Sequence, residues 1–218
     1  MNDQVVNIRG LHKHFRSAGE DVPVFENFSL SLNAGESLAV MGPSGSGKST
    51  LLNVLSGLEP WSSGSIELFG KEMSPRDDAR WASLRRSAIA TVFQEANLMP
   101  ALTLAENLRL RAELAGRESP DVTDWLEKLG LEGLDRRFPD QVSGGQRQRA
   151  ALAMAFAMVP ELILADEPTG SLDRKTAERV ADAMFRFQRR NGCPLILATH
   201  DPDLAERCGR TLTLNSHG

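Results

Sequence analysis

Gly42-Pro43-Ser44-Gly45-Ser46-Gly47-Lys48-Ser49-Thr50 decides the fold. It matches the pattern G-x-x-x-x-G-K-[ST] in full. A short, wholly apolar run, Leu38-Ala39-Val40-Met41, precedes it, and Leu51, Leu52, Val54 and Leu55 follow with helical spacing. The stretch therefore reads as buried strand, glycine-rich loop and helix. Glycines let the backbone curl and present its N–H groups to phosphate oxygens. The helix behind the loop adds its positive N-terminal end. Lys48 can reach the β- and γ-phosphates, and the Ser49 hydroxyl can ligate Mg²⁺. A glycine-rich turn that merely contains a lysine would not need both flanks, so the loop predicts a bound nucleotide. Kinases, GTPases and motors share it, and the rest of the chain must assign the class.

Working outward, Val5 to Leu11 and Phe28 to Leu32 alternate apolar and polar residues, as half-buried strands do. Ile66, Leu68 and the turn at Gly70 indicate another strand. From about Thr103 to Pro139 the pattern turns helical. Thr103 and Glu106 have capping-box spacing, and Val122, Trp125, Leu126 and Leu129 fall on one helical face ahead of Gly130. Two more apolar runs follow, Leu162-Ile163-Leu164-Ala165 and Leu195-Ile196-Leu197-Ala198, separated by a helix from about Asp173 to Arg190. Buried strands alternating with helices predict an α/β fold: a P-loop NTPase core with a mainly parallel sheet. An N-terminal antiparallel β subdomain and an inserted α-helical subdomain, approximately residues 95–160, complete one domain over 1–218.

The 218 residues suffice for one large domain. A hydrophobic fraction of 41% and a charged fraction of 25% are those of an ordinary globular chain. A net charge of −4 argues against a nucleic-acid partner, which calls for a basic excess. Cys193 and Cys208 have no metal-ligand spacing and read as reduced packing thiols. The N-terminus lacks the regions of a signal peptide, and no run approaches the ~18 apolar residues of a membrane span. Membrane contact is expected only through a partner.

Asp166 and Glu167 end the run at Leu162, where P-loop enzymes carry the acidic residue of the Mg²⁺ shell. Asp166 takes that role, and Glu167 is placed to accept a proton from the attacking water. His200 follows the last apolar run, at the sheet edge where open α/β folds bind ligands. Its ring N–H is expected at the γ-phosphate or the water. Solvated turn residues would be the bland reading of the carboxylate pair, and a structural histidine that of His200.

Ser143-Gly144-Gly145-Gln146 precedes an alanine-rich helix, with Ser143 as a good N-cap. Together with Asp166-Glu167-Pro168-Thr169 it resembles the signature sequence of ABC ATPases, and the resemblance covers essentially the whole chain. In that family the signature of one subunit closes over the γ-phosphate held by the P-loop of another. The resemblance thus assigns Ser143, Gly144, Gly145 and Gln146 to a partner's nucleotide and implies a homodimer with ATP and Mg²⁺. It places Gln94 at Mg²⁺ and the membrane partner, Asp173 in the loop coupling two sites, and Phe15 stacked on adenine. Two departures stand out: Val142 where leucine is usual, and Met154 where relatives carry arginine. Lys48, Asp166, Glu167 and His200 are all present, so an active ATPase is expected.

Phe93 to Thr103, Glu106-Asn107, Asp166 to Asp173 and Asp203 to Cys208 look like the lipoprotein-release and macrolide-efflux ATPase group. That resemblance implies integral membrane permease subunits with a large extracytoplasmic domain, and a cytoplasmic, peripheral place on the inner face of the cell membrane. No regulatory domain of the kind many importer ATPases carry is expected after this domain. The alternative is the motor of a non-transport complex, such as a cell-division or signalling module. Long coiled coils of chromosome-organising relatives are not present between loop and signature.

Overall fold

Leu38–Met41, Leu162–Ala165 and Leu195–Ala198 lie side by side in one sheet, as their continuous hydrophobicity requires. The computed structural model describes residues 3–17, 20–93, 95–117 and 121–215. Its elements begin with β1 (Gln4–Ser17), β2 (Glu20–Asn33), β3 (Ser37–Met41), α1 (Lys48–Leu55), β4 (Ser63–Leu68), β5 (Lys71–Met73), α2 (Asp78–Ser87) and β6 (Ile89–Val92). Then come α3 (Leu104–Leu114), α4 (Val122–Lys128), α5 (Gly144–Ala157), β7 (Leu162–Asp166), α6 (Arg174–Asn191), β8 (Leu195–Ala198), α7 (Pro202–Glu206) and β9 (Arg210–Thr213).

The parallel sheet runs β6-β7-β8-β3-β9, and a separate antiparallel sheet runs β2-β1-β4-β5. Alternate residues of the central strands face opposite cores. Leu164 and Ile196 join β1, β4 and α1, whereas Ile163 and Leu197 join α3, α4, α5 and α6. The strand order places β8 between β3 and β7. Its carboxyl end therefore opens between the loop after β3 and the acidic end of β7, which positions the site.

The β1–β2 hairpin extends further than its alternation predicts, up to the Ser17↔Glu20 pair. Beyond Lys13 its side chains are mostly exposed; with neither face covered, no apolar pattern marks the ribbon. The Thr103–Glu106 capping box forms as expected.

Arginines tie the helices together through carbonyl oxygens. Arg85 donates to the Ser56 and Gly57 carbonyls beyond α1, both at 3.0 Å. Arg111 of α3 donates to the Arg85 and Arg86 carbonyls at the end of α2, both at 2.6 Å. Arg117 donates to Met158 and Val159 beyond α5, both at 2.9 Å. Each cation meets the negative end of a helix, where unpaired carbonyls collect. Gln148 adds a buried bond to the Phe93 carbonyl at 3.0 Å.

Both cysteines are free. Burial pushes the Cys193 thiol up to about 12 and the Cys208 thiol to about 11, so both remain protonated at neutral pH. Met154, in the place of the family's arginine, packs against the apolar core of the helical layer. Among the described residues no helix is long and apolar enough to cross a membrane.

Candidate functional site

The turn after β3 has backbone geometry that side chains oppose. Gly42 has φ +146°, and a Cβ there would lie 2.4 Å from the Leu214 carbonyl oxygen. Gly47, at φ +95°, would meet Val24 of β2 at 2.8 Å. The loop is thus pressed against both β2 and the segment after β9. Lys48 opens α1 and folds its ammonium back onto the Gly42 and Pro43 carbonyls, at 2.8 and 3.0 Å. The Ser46 hydroxyl is buried within the loop without a hydrogen-bond partner.

A cleft of about 510 Å³ opens over this loop. Gly42, Pro43, Ser44, Gly45, Gly47, Lys48, Ser49 and Thr50 form one wall. Asp166, Glu167, Gly170 and His200 form the other. The loop, more than 100 residues before the acidic strand end and the histidine in sequence, therefore faces one cavity with them. A larger cavity of about 840 Å³ lies between α4 and α6, away from these groups; chemistry, rather than size, marks the smaller one as the site.

Glu167 sits at φ +46°, in the left-handed region that a side chain other than glycine's enters at a cost of about 1–2 kcal/mol. Its N–H donates to the Ala198 carbonyl at 3.0 Å, which anchors the turn to β8. One carboxylate oxygen lies 2.8 Å from His200 Nδ1, and the other accepts from the Thr199 hydroxyl at 3.4 Å. The Glu167 side chain is 15% exposed and that of His200 74%. A half-sheltered carboxylate is thus oriented by two neighbours while its histidine partner faces solvent. Thr199 has no assigned role in the sequence and is brought to Glu167 by the pairing of β7 with β8, while Gly170 reaches the cleft through the turn in which its N–H donates to the Glu167 carbonyl at 3.1 Å.

Ser143 caps α5, receiving the Gln146 N–H at 3.2 Å, while Gln146 Oε1 accepts the Ser143 N–H at 2.8 Å. This reciprocal box leaves the first turn of a 14-residue helix with N–H groups directed outward. None of Ser143, Gly144, Gly145 and Gln146 lines the P-loop cleft. Leu172 lies against Gly145, 3.0 Å from where its Cβ would stand, so the segment before α6 abuts the signature turn. Asp173 caps α6. Hydrogen bonds from Thr176 hold its carboxyl below the usual aspartate value. Phe15 is 39% exposed and lies outside the cleft wall, at the far part of the β1–β2 hairpin. Gln94 falls outside the described residues.

A phosphate-cradling loop, a lysine, and an acidic strand end beside a histidine on a parallel sheet define a P-loop nucleoside triphosphatase. The family profile described as ABC transporter matches residues 25–170. The chain belongs to the ABC transporter ATP-binding family and is an ATPase of that type. It is 40% identical to the uncharacterized ABC transporter ATP-binding protein YbbA of Escherichia coli K12, over 97% of this chain and 95% of that one. It is 41% identical to the lipoprotein-releasing system ATP-binding protein LolD of Anaeromyxobacter dehalogenans, over 96% and 90% respectively. Among solved structures, the post-hydrolysis dimer of the ATP-binding cassette MJ0796 bound to ADP and Pi superposes with a TM-score of 0.90. The sequence identity is 32%, covering 98% of this chain and 97% of that one.

Proposed function

We propose that the chain powers a membrane permease of the lipoprotein-release and macrolide-efflux type, through ATP-driven closure of a head-to-tail homodimer. The observation that carries this reading is the separation of two half-sites: the signature turn at Ser143 to Gln146 lies off the cleft that holds the P-loop. ATP in the cleft of one copy would be closed over by the signature turn of the other. Glu167 would accept the proton of the attacking water, with His200 and Thr199 orienting its carboxylate. Lys48 would exchange the Gly42 and Pro43 carbonyls for phosphate oxygens, and the unpartnered Ser46 hydroxyl is a polar group left for the same anion. Asp173, beside the signature turn, would relate the two sites.

Ser49 and Asp166 face the same cleft, and a hydroxyl with a carboxylate fits a magnesium ion that takes its other oxygens from nucleotide and water. They would hold Mg²⁺ together with Gln94, and bound there it would neutralise phosphate charge. The helical subdomain of about residues 95–160, within the single domain, would receive the permease through Leu98 to Leu102. Met99 is 52% exposed there. The chain would then work at the cytoplasmic face of the membrane.

Ser143→Arg should leave the ATP affinity of the single copy unchanged in calorimetry and abolish the ATP-dependent dimer in size-exclusion chromatography. A dimer that persists would contradict the composite site. Affinity capture from native membranes should retain a permease with a large extracytoplasmic domain. Capture of a coiled-coil or nuclease partner in its place would overturn the branch assignment.

A further inference from the structure

Beneath Phe15 lies a charge that a stacking aromatic does not by itself require. Lys13, two residues earlier on β1, is 5% exposed. Its ammonium sits 4.2 Å from the centroid of the Phe15 ring. Glu59 binds that ammonium at 3.0 Å and the Pro60 carbonyl at 2.8 Å, so the cation is held from below. Phe15, by contrast, keeps an exposed side, with the exposed Val22 opposite it in the hairpin register. One face of the ring is thus occupied by a fixed cation, while the residue as a whole keeps exposed surface on which a base could lie. The hairpin also reaches the phosphate loop: Lys13 pairs with Phe25, whose ring adjoins Gly47.

We propose that Lys13 is a positioning residue for the nucleotide base, completing a cation–ring–base sandwich through Phe15. This rests on the reading of Phe15 as the stacking aromatic. A cation on one face draws π-density toward itself and leaves the opposite face less negative. An electron-rich purine then stacks on that face with less repulsion. The Glu59 and Pro60 contacts also fix the ammonium, which holds the ring at one height above the hairpin. Lys13 thereby acts on the base-dependent part of binding and leaves the phosphate part to Lys48 and the loop.

The test compares ATP with inorganic tripolyphosphate, which carries the phosphates without the base, by calorimetry on the full chain. The double variant Lys13→Met/Glu59→Gln keeps the stem and avoids stranding a carboxylate. It should weaken ATP about threefold to tenfold, the scale of a part-buried cation–ring contact, and leave tripolyphosphate unchanged. Lys13→Arg should restore most of the ATP preference. Equal loss for both ligands, or no loss for either, overturns the proposal. Phe15→Ala separates it from its premise: if that variant leaves the ATP-to-tripolyphosphate ratio intact, the stacking reading fails and the proposal with it. If Phe15→Ala collapses the ratio while the Lys13 variant does not, the proposal alone fails. Thermal unfolding of each variant verifies that the hairpin remains folded, and Lys13→Gln carries the same ATP-against-tripolyphosphate comparison if the double variant does not fold.

Discussion

Glu167→Gln is expected to lower ATP turnover by about 10²-fold or more, leave ATP binding intact and accumulate a nucleotide-bound dimer. The amide is nearly the same shape as the carboxylate. Its oxygen can still accept from Thr199 and its nitrogen can still meet His200, so the strained turn at φ +46° keeps its supports. What the amide lacks is a basic oxygen. Proton acceptance is lost while geometry is conserved, which separates chemistry from folding. The measurements are phosphate release, ATP affinity and dimer content in the presence of ATP. Rapid hydrolysis by the variant would remove Glu167 from the role of base.

Lys48→Ala is expected to weaken ATP binding by roughly 10- to 100-fold, the scale of one or two charge-assisted hydrogen bonds. The ammonium is satisfied by the Gly42 and Pro43 carbonyls, which hold it at the loop, so it is neither buried alone nor free to wander. Without the lysine the loop retains its N–H groups and the end of α1, and for that reason binding should fall without vanishing. Calorimetry with ATP measures the loss, and an unchanged affinity would contradict the loop's function.

The parts of the fold most legible in the sequence are those buried on both faces or held by a side-chain cap. Leu38–Met41, Leu162–Ala165 and Leu195–Ala198 read as strands because a parallel sheet between two cores admits only apolar residues. Thr103, Asp173 and Ser143 mark helix starts because each accepts a backbone N–H. Elements with little buried surface were silent. Helix α2 buries only Trp81 and is otherwise polar, so no periodic stripe appears. Strand β9 lies at the sheet edge with largely exposed residues, and α7 is five residues long. The candidate site shows the same division. Its loop is contiguous and could be read directly, as could Asp166 and Glu167. The contact between Glu167 and His200 spans 33 residues and exists because β7 pairs with β8 in the register Asp166↔Ala198. Thr199 directly follows that register and belongs to no motif.

The bonds joining the helices between β6 and β7 to the neighbouring core have a common chemistry. Arg111 meets the carbonyls of Arg85 and Arg86, and Gln148 meets the carbonyl of Phe93. Among the described residues, no ion pair crosses this junction. A carbonyl oxygen neither titrates nor exchanges counterions in the physiological range, and guanidinium remains cationic there. The joint is consequently deaf to acidification and weakly responsive to salt, unlike a carboxylate clasp. A drift in pH or ionic strength would alter the surface charges around this junction and leave its bonds as they were.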